Sequence, residues 1–172
     1  RLAFVVSTLE RLVERLEAIS GRALDRDALG ERVELVNQQE EVFDAVRRLI
    51  ALAPECPVRM TEQITNVMAT QWVGGSPWEL AHARAFHDEV KRRVDDGIAS
   101  CPGERARLMW IGAGLWHDTA FYTAFEASHR AVFVWSMYLA FGPDGYIRYG
   151  LDDPMAALAS RSASFNEYLH NP

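Results

Sequence analysis

Lysine is nearly missing from this chain: Lys91 is the only one in 172 residues, and every other basic side chain is arginine. That imbalance reads as codon bias and not as an anion site. Basic residues are also outnumbered, 18 against 24 acidic ones, for a net charge of −6. A nucleic-acid role therefore has no electrostatic support. No run of eighteen or more apolar residues occurs, which excludes an apolar transmembrane helix on hydropathy, and "LAFVV" at 2–6 is too short for the apolar region of a signal peptide. There are two cysteines, Cys56 and Cys101. They make no disulfide framework and fit a reducing cytoplasm. Neither lies in a CxxC pair, and two thiols are too few for a cluster site. HExxH, Gly-x-Ser-x-Gly and Walker A motifs are absent. His82 and His87 are five apart and diverge on a helix, while His129 falls near a helix C-terminus, where positive charge is favourable. None of these reads as a metal ligand.

What is present is enough apolar material, 49% of residues, for a real core in one domain or one and a part. The chain opens without Met on "RLAFVVSTLERL" and closes on "EYLHNP", which reads as an internal fragment. The first hundred residues carry helical spacing. Leu2, Val5, Leu9, Leu12, Val13 and Leu16 lead to Gly21, a C′ residue. Asp25 caps a second helix that Pro54 stops. A third is expected from Thr61 to Gly74-Gly75. In "SPWE", Ser76 is an N-cap, Pro77 takes the first helical position and Glu79 can close a capping box. The fourth helix then runs to about Ser100, with Phe86, Val90, Val94 and Ile98 on its face. "CPGE" at 101–104 is a linker, which divides the chain into a helical connecting region, 1–103, and an α/β part, 104–172.

In the α/β part, Leu108–Ile111 is a continuous apolar run, as in a strand covered on both faces. Asp118 or Thr119 can cap a helix holding Phe121, Tyr122 and Phe125, and "AVFVWSMY" at 131–138 reads as a second strand. A loop with Gly142, Gly145, Gly150, Tyr146 and Tyr149 follows, either a mobile aromatic lid or an ordinary surface loop. Asp153-Pro154 opens a last helix through Leu158 towards Tyr168. Strand, helix and parallel strand form one part of a Rossmann-like, doubly wound sheet, which binds ligands at the carboxyl ends of its strands. The expected fold class is thus α/β, a helical region followed by the first βαβ part of a Rossmann-like domain.

Those carboxyl ends carry Gly112-x-Gly114, two glycines of the dinucleotide fingerprint, but the third position holds His117. No acidic residue ends the second strand to hold a ribose, where the chain reads Ser136-Met137-Tyr138. Dinucleotide binding is not expected. Trp116-His117 suits an apolar pocket with a proton donor, or a packed loop beside a helix cap.

The order of these features resembles the 2-hydroxyacyl-CoA dehydratase and benzoyl-CoA reductase subunit family. "LERLVERLEAISGRALDRDALGERVELVNQQ" is similar to its helix, Ser-Gly, capped helix and Asn; "GERARLMWIGAGLWHDTAFYTAFEASHRAVFVWSMY" to its strand, Trp-bearing turn, helix and strand; "DDPMAALASR" to its Asp-Pro segment. The resemblance implies two Rossmann-like domains joined by helices, of which this chain holds the helices and the start of the second. It implies a [4Fe-4S] cluster with ligands mostly outside this segment, an acyl-CoA substrate, a homologous second subunit and an ATP-dependent iron–sulfur activator. It also implies radical chemistry by low-potential electron transfer, either dehydration of a 2-hydroxyacyl-CoA or reduction of an aromatic ring. In dehydratases of this family a cluster cysteine tends to follow the second strand; here Tyr138 stands there, and a phenol is a poor substitute for a thiolate. The expected site has His117 and Tyr138 as catalytic groups, Gly112, Gly114, Trp116 and Tyr138 as substrate contacts, and no metal ligand. The departure at Tyr138 tilts the resemblance towards the benzoyl-CoA-reductase branch, or towards a non-catalytic scaffold subunit paired with a cluster-bearing homologue.

Overall fold

Helix ends in this chain are set by local hydrogen-bond accounting. The first four N–H groups and last four carbonyls of a helix need partners, and the sequence supplies them. In the computed structural model, which describes residues 1–141 and 152–161, α1 (Leu2–Ser20) stops at Gly21, whose left-handed φ of 67° lets its N–H bond Glu17 O. Asp25 accepts the Ala28 N–H at 3.0 Å and starts α2 (Arg26–Leu52). Ser76 accepts the Glu79 N–H at 3.2 Å, with Pro77 in the first turn of α5 (Pro77–Asp95). Asp153 does the same for Met155 at 3.0 Å, ahead of a helical stretch over 154–161.

Three expectations about the helices need correction. The span from Thr61 to Gly74 is two pieces, α3 (Met60–Val67) and α4 (Thr70–Val73). Thr65 and Asn66 donate side-chain bonds back to the carbonyls of Thr61 and Glu62, and such back-bonding competes with the helical ladder. The helix that begins at Pro77 ends at Asp95, before Ile98 and Ser100. There Gly97, at φ 66°, turns the chain so that Ile98 N–H reaches Arg93 O. Glu79 closes no capping box: its side chain is fully buried, and both carboxyl oxygens lack a hydrogen-bond partner among the described residues.

The sheet has two parallel strands, β1 (Ala106–Trp110) and β2 (Ala131–Ser136), joined through α6 (Ala120–His129). The register shifts between Leu108 and Met109. Thr119 sits at the α6 N-cap position without a side-chain bond. Coverage of β1 on both faces is overturned, because Met109 is 60% and Ile111 84% exposed. The second strand also ends earlier than expected. After Ser136 the chain turns into α7 (Met137–Phe141), so Tyr138 is helical. The glycine- and tyrosine-bearing loop at 142–150 and the chain beyond 161 lie outside the described residues.

The core is shared by the helices and the sheet. α2 packs against α5, and α3 packs against β2, α5 and α7. Phe43, Val58, Met60, Val90 and Val132 are buried to within a percent, in one cluster. Arg107 fastens β1 to the end of α2. Its guanidinium donates to Ile50 O at 2.8 Å, to Ala53 O at 2.7 Å and to Glu104 Oε1 at 2.7 Å. These are carbonyls that a helix C-terminus leaves unpaired. α1 has no buried residue, and its Leu12, Leu16 and Ile19 are exposed.

Candidate functional site

β1 ends at Trp110 and β2 at Ser136, and a cavity of about 160 Å³ opens at these carboxyl ends. Trp110, Trp116, Tyr122 and Tyr138 form its aromatic wall, and Met60, Thr61, Ile64 and Thr65 of α3 form the opposite side. The turn between β1 and α6 is held by side chains from three elements. Trp110 Nε1 donates to Ala113 O at 2.9 Å. The Tyr122 hydroxyl accepts the Leu115 N–H at 2.9 Å. The Tyr138 hydroxyl accepts the Gly114 N–H at 3.0 Å and Trp116 Nε1 at 3.2 Å.

These contacts explain the glycines without a phosphate. A Cβ at Gly114 would stand 3.0 Å from both the Trp116 and Tyr138 rings, so only glycine lets the two rings close on the turn. The rings meet edge to face with centroids 4.8 Å apart. Gly112 has open space around it but a φ of 119°, a conformation that side chains other than hydrogen resist.

Of the five residues singled out from the sequence, Gly114, Trp116 and Tyr138 come together around the cavity. His117 is exposed on the turn and Gly112 is exposed before it; neither lines the cavity. Sequence reading missed Trp110, Thr61, Thr65 and Ser136. Tyr122 was visible only as an aromatic on a helix face, and nothing in the local pattern says that its hydroxyl reaches back to Leu115.

Among the described residues three buried carboxyls, Glu40, Glu79 and Glu126, lie outside the cavity lining. Burial pushes Glu79 up to about 7. Glu126, 2% exposed, is also raised, by burial first, although the Phe133 N–H at 3.3 Å and Arg59 at 3.6 Å favour its charged form.

A family model described as 2-hydroxyglutaryl-CoA dehydratase, D-component, matches residues 1–171. The chain belongs to this family. Searches of curated proteins and of solved structures each gave no match. Membership makes the chain a dehydratase-type subunit, one component of an enzyme with a partner component. No helix among the described residues is long and apolar enough to cross a membrane.

The two thiols of this chain, Cys56 and Cys101, are both free and buried. Burial raises both above the ordinary thiol range. Cys56 Sγ donates to Val58 O at 3.1 Å, Cys101 Sγ contacts Glu126 O at 3.5 Å, and neither lines the aromatic cavity. Among the described residues no three His, Cys, Asp or Glu side chains form a group that could hold a metal ion.

Proposed function

We propose that this D-component segment forms one wall of an acyl-CoA site, with the aromatic cavity receiving the acyl end of the thioester. The carrying observation is the cavity's size and lining. A dry cavity of about 150 Å³ holds a benzene-sized molecule, whereas a complete drug-sized ligand needs about 300 Å³ or more. At about 160 Å³, walled by two indoles and two phenols, the cavity suits a short or aromatic acyl group, with the rest of the thioester outside. Trp116 and Tyr138 would exclude water there. The Tyr138 hydroxyl, steadied by the Gly114 and Trp116 N–H groups, would orient the acyl oxygen, and His117, exposed on the adjoining turn outside the cavity, would move a proton. Gly112 and Gly114 would shape the turn that touches substrate. In this reading residues 104–172 begin a Rossmann-like domain and residues 1–103 connect it to another. A [4Fe-4S] cluster held by residues outside this segment, charged by an ATP-dependent iron–sulfur activator, would supply low-potential electrons in a cytoplasmic enzyme. The reaction would be 2-hydroxyacyl-CoA dehydration or ring reduction of the benzoyl-CoA-reductase type.

A second reading, a scaffold subunit beside a cluster-bearing homologue, draws support from the two buried thiols, which face backbone carbonyls and not the aromatic cavity. Cavity variants in the assembled enzyme distinguish the two. Tyr138→Phe and Trp116→Ala should lower acyl-CoA turnover by about tenfold or more, beyond any fall in melting temperature. Thr65→Phe, at an exposed position lining the cavity, should raise KM with the fold intact. Wild-type turnover in all three variants would favour the scaffold.

A further inference from the structure

At the opposite, amino-terminal edge of the sheet lies a second cavity of about 280 Å³, lined by Arg59, Ser100, Cys101, Thr123, Glu126 and Arg130, among others. Two of its features are at odds with ordinary packing. Arg130 follows α6 in the left-handed conformation, at φ 52°, the only non-glycine residue of positive φ among those described. Glycine is the unstrained choice at such a helix end, so a strained arginine directs attention to its side chain. Its guanidinium passes over Gly103 at the exposed mouth of the cavity and has no hydrogen bond or ion pair to protein among the described residues, which leaves it open to a ligand from solvent. The second feature is an unfinished pair. Arg59 Nε and Glu126 Oε2 are both buried without a hydrogen bond and stand 3.6 Å apart. The only hydrogen bond from the Arg59 guanidinium among the described residues is a long one, 3.4 Å, to Ser100 O. The neighbouring carboxylates are engaged elsewhere, Glu62 with Arg93 and Glu104 with Arg107.

We propose that this cavity is a phosphate-type oxyanion site, with Arg59 and Arg130 as its two cationic forks and Glu126 as the group that weakens it. A planar carboxylate is satisfied by one guanidinium fork. A tetrahedral phosphate presents oxygens in several planes and can take forks from two directions, with the Thr123 hydroxyl as a further donor. The volume exceeds that of a bare phosphate, leaving room for the ester group of a phosphate monoester. The site shares no lining residue with the aromatic cavity and stands independently of the acyl-CoA reading.

Calorimetry and thermal melting of the intact protein test this, with inorganic phosphate, adenosine monophosphate and acetate as probes. Phosphate should bind saturably and raise the melting temperature, and acetate should not. Tighter binding of the nucleotide would identify a monoester as the natural form; equal binding would identify the free anion. Arg130→Gly should weaken phosphate binding by about tenfold or more, yet melt no lower than wild type, since glycine relieves the left-handed strain. Glu126→Gln, which keeps both arginines and an acceptor for Phe133 N–H, should tighten phosphate binding. No response of the wild type to phosphate, an equal response to acetate, unchanged affinity in Arg130→Gly, or unchanged or weaker affinity in Glu126→Gln would each overturn the site.

Discussion

One buried carboxyl, Glu79, contributes to the pH dependence of this protein's stability. Glu79 is sealed between helices with no hydrogen-bond partner for either oxygen among the described residues, and its pKa is pushed from 4.5 to about 7 by burial. The folded state therefore holds this proton more tightly than the unfolded state. The contribution is fully present below about pH 4.5 and is lost as pH rises through about 7. The loss is on the order of 3 kcal/mol. Glu79→Gln should remove it: urea unfolding at pH 5 and pH 8 should show a smaller difference for the variant, which gains stability at pH 8. An unchanged pH dependence would mean that the carboxyl is hydrated. The sequence showed Glu79 as the fourth letter of "SPWE" and pointed to a capping box. Which way the side chain turns is a tertiary outcome, its burial on a helix that packs against α2, which no four-residue pattern records.

Among the elements, the joint between α2 and β1 shows how a long-range contact replaces a local cap. α2 ends at Leu52, just before Pro54, and its last carbonyls have no following turn to bond them. Arg107, more than fifty residues later in the chain, takes Ile50 O and Ala53 O, while Glu104 accepts both the arginine and the Cys56 N–H at 2.7 Å. Arg107→Ala leaves those carbonyls and a buried carboxylate uncompensated. It should cost about 2–4 kcal/mol by denaturant unfolding, and Arg107→Lys should recover only part of this because an ammonium lacks the fork. A loss below about 0.5 kcal/mol, the level of an ordinary surface substitution, would show that water takes over these carbonyls. The end of α2 was readable from Pro54, whereas the partner of that end was not, since Arg107 looked like any basic residue opening an apolar run.

For the whole molecule, the core joins the helices to the sheet, so the described part should open as one unit. The two thiols report on this. Cys56 is 0% and Cys101 7% exposed; one lies beyond α2 and the other before β1, and both belong to the same buried cluster. An aromatic disulfide reagent should label both at the same denaturant midpoint, and only slowly in native buffer, because burial holds them as thiols. Labelling of Cys101 well before Cys56 would separate the sheet from the helices as an independent folding unit.

The sequence by itself determined the helix starts at Asp25 and Ser76-Pro77, the stop at Gly21, the succession of strand, helix and parallel strand, and the family. Each of the boundaries is settled by N–H and carbonyl groups within a few residues of one another, and the apolar periods carry the rest. Tertiary structure alone decided that β2 ends at Ser136 and that Tyr138, on the next helix, meets Gly114 and Trp116. It likewise decided that Met109 and Ile111 stand exposed, and that Arg59 and Arg130, far apart in the chain, share one cavity. These outcomes depend on which distant segment lies against which face. An apolar or charged residue looks the same in sequence whether that face is covered or open.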